Sequence, residues 1–291
     1  MGNRPFRAKK PENGAENESE RSPGIFTKFV LMEFIDTHCH PSDEAYEGER
    51  EQMISRAIEA GVTRMLHADV DSHDRPRMLR LCEQYPGVVF PMLGLYPGSV
   101  GENWKEELDM VFEEAKNPER FVAIGEIGLD YHFSTEFKEQ QKEALRAQLE
   151  LAARLSLPVN IHLRDATDDF FAVLDSCRGL GLRGNLHAFG GSSETAARIR
   201  KYGDWSVGIG GVLTFKKAGI AEAVKSIPLE MILLETDAPY LTPTPYRGTR
   251  NESSYIPLIA AKLAEIKQLS LEQVAEATTE NALNLFKLHQ H

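Results

Sequence analysis

Short apolar runs alternate with amphipathic stretches along almost the whole chain, and this alternation restricts the fold more than any other feature. Eight runs have the length and composition of β-strands. They span residues 33–36, 64–68, 88–94, 122–126, 159–162, 184–187, 205–208 and 231–235. Strands separated by helices pair in parallel, and eight such units close into a barrel. The sequence therefore predicts an α/β fold of the (β/α)8 TIM-barrel type.

Helical periodicity fills the segments between these strands. Within residues 136–155, Leu145, Leu149, Ala152 and Leu155 recur at a spacing that gives the helix one apolar side. The predicted helices span residues 49–60, 76–85, 104–115, 136–155, 166–174 and 194–201. Residues 255–288 predict two or three further helices on the outside of the barrel.

Residues 1–24 differ in composition from the rest of the chain. They are polar and charged, they contain three prolines, and the run ENGAENESE cannot bury a core. We predict a disordered N-terminal extension over residues 1–31 and a single domain over residues 32–291. Met32 stands directly before the first strand and is a candidate natural start, which mass spectrometry of the native protein would test.

The charge of the chain limits its partners. The formal net charge is −11, which argues against a protein that coats long duplex DNA through a basic surface. An enzyme that binds one or two phosphates locally stays possible, because metal ions in a pocket supply their own positive charge.

Membrane and export signals are not recognisable in the sequence. No apolar run approaches the roughly 20 residues that a membrane helix needs, and residues 1–24 lack the apolar segment of an export signal. The cysteines Cys39, Cys82 and Cys177 form no close pair, which suits a reducing compartment. We expect a cytoplasmic protein with no membrane partner, and the sequence indicates no protein partner.

Six side chains that can bind metal ions occur at the ends of predicted strands. They are His38, His40, Glu126, His162, His187 and Asp237. The carboxyl ends of barrel strands meet at one face, so residues distant in sequence can converge there. Each residue alone also fits a structural role, but the whole series favours a metal-dependent hydrolase.

The two carboxylates in this series have the strongest claim to a catalytic role. Glu126 lies near Gly125 and Gly128, which allow close backbone approach, and its two oxygens can each bind an ion. Asp237 can bind a metal and also accept a proton from the attacking water. A turn or capping role is the structural alternative for Asp237, and Glu235, two residues earlier, is its nearest rival.

Other residues have candidate supporting roles. Asp36 could orient one imidazole of the first strand, and His67 is expected to be structural or to support a ligand. Arg164 stands two residues after His162, the end of the predicted strand, and its guanidinium suits a phosphate. Arg247 and Arg250 follow Asp237 and are weaker candidates of the same kind.

Six motifs together resemble those of the TatD family of metal-dependent deoxyribonucleases, a branch of the amidohydrolase-like barrels. They read DTHCH, GEIGLDY, IHLRDA, HAFGG, ETDAPYL and RGTRNES, and they extend over residues 33–291. The resemblance implies a (β/α)8 barrel that holds two divalent metal ions and hydrolyses DNA phosphodiester bonds with a metal-activated water. It also implies one ion at His38, His40, Glu126 and Asp237, a second at Glu126, His162 and His187, and a substrate contact at Arg164.

The chain departs from the family pattern in three loops. Where the family often has a GxHPH segment, this chain reads GLYPG, with Tyr96 and Gly98 at the histidine positions. Ala188 and Gly191 alter the usual HCFSG motif, and Ser253 stands where proline is usual. The predicted metal ligands are all present, and the changes fall in loops that face the substrate.

Three functional hypotheses follow from these residues. The first is a deoxyribonuclease that acts from an end or on single strands, with Zn²⁺, Mn²⁺ or Mg²⁺; four imidazoles favour zinc or manganese. The second is a metal-dependent hydrolase of amides, esters or lactones on a small substrate, because one barrel can serve both chemistries. The third is a non-enzymatic subunit, which need not keep all six ligands.

Overall fold

Eight parallel strands form one sheet in which each strand pairs with the next in sequence. The computed structural model describes residues 32–290, so the extension predicted for residues 1–31 lies outside the described part. The strands are β1 (Phe34–Cys39), β2 (Val62–His67), β3 (Val89–Leu93), β4 (Ala123–Asp130), β5 (Val159–Arg164), β6 (Gly184–Leu186), β7 (Trp205–Ile209) and β8 (Ile232–Leu234). All eight were predicted, and the barrel fold is confirmed.

The sheet closes where the end of β1 meets the residues that follow β8. The Asp237 amide donates to the carbonyl of His38 at 2.9 Å, and the His40 amide donates to the carbonyl of Ala238 at 2.8 Å. These hydrogen bonds complete the barrel at its carboxyl end. They also bring Asp237 beside the two histidines of β1.

A helix follows each strand and packs outside the barrel, as in other (β/α)8 proteins. In the described residues the helices are α1 (Arg50–Glu59), α2 (Arg75–Gln84), α3 (Trp104–Glu114), α4 (Lys138–Leu155), α5 (Thr167–Ser176), α6 (Ser193–Arg200), α7 (Ile220–Ser226), α8 (Ile256–Lys267) and α9 (Leu271–Phe286). Helix α7 was not among the predicted helices, because seven residues are too few to establish a period. None of the helices is both long and apolar enough to cross a membrane.

Helix α9 covers the amino-terminal end of the barrel. The Thr279 hydroxyl donates to the carbonyl of Glu33 at 2.8 Å, and the Asn281 amide donates to that of Ile232 at 2.9 Å. Leu285 and Phe286 join an apolar cluster with side chains from five strands. Since this end is filled, the accessible end is the one where the strands terminate.

The strand boundaries differ from the predictions most in β4. The predicted strand ended at Glu126, whereas β4 continues to Asp130 because it stays paired with β5. Gly128 lies opposite His162, and Asp130 lies opposite Arg164. Glu126 and the glycines at 125 and 128 interrupt the apolar run, which concealed this continuation of the strand. Glu126 therefore lies within a strand and not at its end.

Candidate metal centre

A cavity of about 860 Å³ opens at the carboxyl ends of the strands. Five of the six predicted ligands line it, and the sixth, His38, is completely buried beneath them. The five are His40, Glu126, His162, His187 and Asp237. The fold therefore brings all six predicted residues together, although they are spread over 200 residues of sequence.

Four side chains form a first group around one point. The Nε2 atom of His38 lies 3.3 Å from that of His40, 3.5 Å from Oε2 of Glu126 and 3.6 Å from Oδ1 of Asp237. His40 Nε2 lies 3.7 Å from the same two carboxylate oxygens. Ligand atoms around a tetrahedral zinc ion at its usual bond lengths are about 3.3 Å apart. The donor atoms and their spacing therefore fit one divalent ion.

A second group lies on the other side of Glu126. Its Oε1 atom is 2.9 Å from Nδ1 of His162 and 2.8 Å from Nε2 of His187, and the two ring nitrogens are 3.2 Å apart. The two oxygens of Glu126 thus face different groups. This arrangement suits a carboxylate that bridges two ions.

The charges of the centre stabilise one another. Burial disfavours the charged form of Glu126, but the imidazoles of His187 and His38 outweigh this and hold its pKa well below the usual value. Burial lowers the pKa of His162, but hydrogen bonds to Asp130 and Glu126 raise it to about 9. Burial opposes the charge on His187 too, but the Glu126 carboxylate raises its pKa to about 10. Without a metal, these histidines hold protons that a divalent ion would displace.

Two buried residues that the sequence analysis missed orient the imidazoles. The side-chain oxygen of Asn160 lies 2.8 Å from Nδ1 of His38. The Asp130 carboxylate lies 2.9 Å from Nε2 of His162, on the side away from Glu126. Partners of this kind fix the ring orientation of metal-binding histidines. The signal was present in the sequence, because Asn160 stands two residues before His162 and Asp130 four after Glu126, which are same-face spacings in a strand.

The expected role of Asp36 was wrong. Its carboxylate accepts hydrogen bonds from the Thr236 hydroxyl at 2.6 Å, the Thr236 amide at 3.0 Å and the His38 amide at 3.3 Å. None of these partners is an imidazole. The pairing of β1 shifts register between Asp36 and Cys39, which breaks the alternation that would have placed Asp36 beneath His38.

Two other residues named from the sequence lie beside the six. The Nε2 atom of His67 is 2.8 Å from the Ser42 hydroxyl, and burial lowers its pKa well below the usual value, which fits a structural residue. Glu235 lies beneath His187, 3.8 Å from its Nδ1 atom, and its carboxylate accepts the amide of Ala188. Asp237, and not Glu235, faces His38 and His40.

The three candidate arginines differ in position. Arg164 is exposed and lines the cavity, with its guanidinium 5.1 Å from the ring centre of Phe133. Arg250 forms a 2.6 Å ion pair with Glu49. Arg247 lies over the ring of Phe215, and neither of these two arginines lines the described cavity. Only Arg164 is placed to meet a substrate near the metal-binding groups.

The altered GLYPG loop also reaches the cavity. The Tyr96 ring stands edge-on to the His162 ring, with centres 5.1 Å apart. A Cβ atom at Gly98 would clash with the Tyr96 ring, whose atoms are its three nearest neighbours. The two departures in this loop are therefore coupled, because the tyrosine ring lies where a side chain at position 98 would begin.

Comparison with known proteins agrees with this geometry. The family described as TatD related DNase matches residues 35–287. The chain is 38% identical to the metal-dependent hydrolase YabD of Bacillus subtilis, over 88% of this chain and 99% of the relative. It is 35% identical to the 3'-5' ssDNA/RNA exonuclease TatD of Pantoea ananatis, over 84% and 95%.

A solved structure has the same overall fold. The TatD homologue YjjV from Escherichia coli superposes with a TM-score of 0.79 at 31% identity, over 87% of this chain and 98% of that one. The motifs, the barrel and these relatives agree, and the chain belongs to the TatD family of metal-dependent hydrolases.

Proposed function

We propose that the protein is a deoxyribonuclease that hydrolyses phosphodiester bonds with two divalent metal ions. The main observation is the position of the Glu126 carboxylate. Its two oxygens face two separate groups of ligand atoms at 2.8–3.7 Å. One ion would be held by His38, His40, Glu126 and Asp237, and the other by Glu126, His162 and His187. Imidazole donors favour zinc or manganese over magnesium.

The residues divide the chemical work in a defined way. Divalent ions bound here would bring the pKa of water towards neutrality and offset phosphate charge. Asp237 accepts the proton of the attacking water at its carboxylate, because that carboxylate belongs to the first group and lines the cavity. Glu126 keeps the two groups together. Arg164 contacts the substrate phosphate from the cavity wall through its guanidinium fork.

Nucleic acid as the substrate is supported by one relative. The Pantoea protein is named a 3'-5' ssDNA/RNA exonuclease, and the chain aligns with 95% of its length. A location in the reducing cytoplasm is part of the same proposal. It is supported by the three cysteines, which are buried and form no disulfide.

The experiment uses purified protein stripped of metal and reloaded separately with zinc, manganese or magnesium. We expect at least one ion to restore cleavage of a labelled single-stranded oligonucleotide. Glu126→Ala should abolish this cleavage, whereas Glu222→Ala, which removes an exposed glutamate on α7, should leave it unchanged. Equal turnover by Glu126→Ala and the wild type would contradict the proposed centre.

A second candidate is a hydrolase of small esters, amides or lactones. Tyr96 favours it, since this residue replaces a family histidine and stands directly against His162. A substrate panel separates the two candidates. Turnover of esters, amides or lactones without cleavage of oligonucleotides or of bis(p-nitrophenyl) phosphate would favour the second.

A further inference from the structure

Two aromatic side chains are unusually exposed in the wall of the cavity. Phe133, in the loop after β4, is 82% exposed, and Tyr240, after β8, is 56% exposed. Both line the same cavity as the metal-binding groups. Aromatic side chains that line a cavity are typical ligand contacts, so these two exposed rings are candidates for binding a substrate.

The Phe133 ring lies on the side of the second group. The guanidinium of Arg164 covers it at 5.1 Å, and the ring of His132 stands edge-on at 4.9 Å. His132 in turn lies 2.8 Å from the carboxylate of Asp165. These contacts connect the loop to the end of β5, two residues beyond His162. The ring is thus exposed yet held in place.

The Tyr240 ring lies on the side of the first group. Its centre is 6.4 Å from that of the His40 ring. Its amide donates to the carbonyl of Asp237 at 2.8 Å, and its carbonyl accepts the side-chain amide of Asn251 at 2.6 Å. The backbone that carries this ring is therefore fixed directly to a residue of the centre.

We propose that Phe133 and Tyr240 are stacking platforms for the two bases that flank the scissile phosphate of a single-stranded nucleic acid. The inference rests on the proposed function and adds the residues that bind the bases of the substrate. A phosphate over the ions would have one ring on each side, and every base has a face that can stack on an aromatic ring. Bases in a duplex are already stacked and paired, so they cannot use such platforms.

The charge of the protein supports this mode of binding. A protein with a net charge of −11 gains little from long-range attraction to DNA. Stacking is a neutral contact and does not depend on that attraction. Among the residues lining the described cavity, Arg164 forms no salt bridge, so it alone offers an unpaired cation to a phosphate.

The test compares Phe133→Ala and Tyr240→Ala with a control, Tyr246→Ala. Tyr246 is another exposed aromatic residue, with 40% of its surface accessible. It stacks on Tyr255 and does not line the described cavity. Each ring variant should raise KM for a single-stranded oligonucleotide by roughly 5- to 150-fold. Turnover of a fully abasic oligonucleotide, which keeps the phosphodiester bonds but has no rings to stack, should stay unchanged. The control should match the wild type on both substrates.

Substrates with one abasic site next to the scissile phosphate identify the contact. Removing the correct base should weaken wild-type binding and make the matching ring variant no worse than the wild type. Losses that simply add for every combination of variant and abasic site would overturn the stacking proposal. So would equal losses on the fully abasic oligonucleotide, because these would indicate damage to the centre.

A binding measurement separates this inference from the nuclease proposal. Fluorescence anisotropy of a labelled oligo-dT strand is recorded with metal-free protein, where no cleavage occurs. Ring-dependent binding without cleavage after metal is restored would support the platforms and reject the nuclease. Cleavage that does not depend on the rings would reject the platforms alone. Absence of both binding and cleavage would reject both proposals.

Discussion

The floor and the rim of the cavity are built differently. The floor consists of the six residues of the proposed metal centre, which lie within strands or up to three residues after them. Buried partners such as Asn160 and Asp130 support them. The rim consists of Tyr96, Phe133 and Tyr240, which lie in loops and are partly or largely exposed. The floor keeps the family motifs, whereas the rim carries a departure at Tyr96. The barrel thus fixes the chemistry, and the loops are free to set the substrate.

The largest effect is expected at the floor from Asp237→Asn. Asparagine keeps the size of the side chain and tolerates the backbone angle of this residue, which has a φ of 55°. It cannot accept the proton of the attacking water. We expect kcat to fall by about 10²- to 10⁴-fold, on the oligonucleotide and on bis(p-nitrophenyl) phosphate alike.

The control for this variant is Asp74→Asn, which removes a carboxylate from the wall of the same cavity. It should leave turnover of the diester within about twofold, since Asp74 pairs with Arg77 and does not face the centre. If both variants lose the same activity, the loss reflects the overall charge of the cavity and not proton transfer at Asp237.

A smaller effect on activity is expected from Asp130→Ala. Asp130 is not one of the six proposed ligands, but its carboxylate is the hydrogen-bond partner of His162. The free imidazole can then rotate, and affinity for metal should fall by about 10- to 100-fold. Competition with a chelator would measure this change. Asp130→Asn keeps an oxygen that can accept the ring N–H and should lose less. Equal metal affinity in all three proteins would show that this hydrogen bond does not support the centre.

The fold was predictable because its signal repeats. Apolar runs recur eight times and alternate with helical periods, so an error in one unit does not change the conclusion. The boundaries were less predictable, as β4 shows, because Glu126 and two glycines interrupt its apolar pattern although its pairing with β5 continues to Asp130. The short helix α7 was not predicted, because seven residues are too few to display a helical period.

The floor could be predicted because ligands at strand ends must converge in a barrel. Its supporting residues were harder to find. Asp36 was assigned by alternation along β1, but the register shift before Cys39 directed its carboxylate to Thr236 instead. The rim was not predictable, since the positions of Phe133 and Tyr240 depend on loop contacts that leave no period in the sequence.

A change of stability at the rim is expected from Gly98→Ala. The new methyl group would clash with the Tyr96 ring. The backbone of Tyr96 is held by a hydrogen bond of 2.9 Å from its amide to the carbonyl of Val70. Overpacking of this kind costs about 1–3 kcal/mol of unfolding free energy, measurable by urea denaturation. In a Tyr96→Ala background the same substitution should cost much less. An equal cost in both backgrounds would show that the two positions are independent.

The smallest effect is expected from salt. If the rim holds bases by stacking and meets phosphate through Arg164 alone, few counterions are released when a strand binds. The affinity of metal-free protein for oligo-dT should then fall only about threefold between 50 and 200 mM salt. Arg164→Gln should remove most of that dependence and still leave the stacking contribution.

A steep salt dependence of the affinity for oligo-dT would contradict the role proposed for the rim, which is to bind bases by stacking. A loss on the order of 10³-fold over the same range corresponds to six or more phosphate contacts. Such contacts would have to come from cations outside the cavity, such as Arg247 or Arg250, which do not line it. Substituting each of these by glutamine in the salt titration would locate them. Substrate choice would then depend on phosphate contacts over a wider surface, and not on two aromatic rings beside the metal centre.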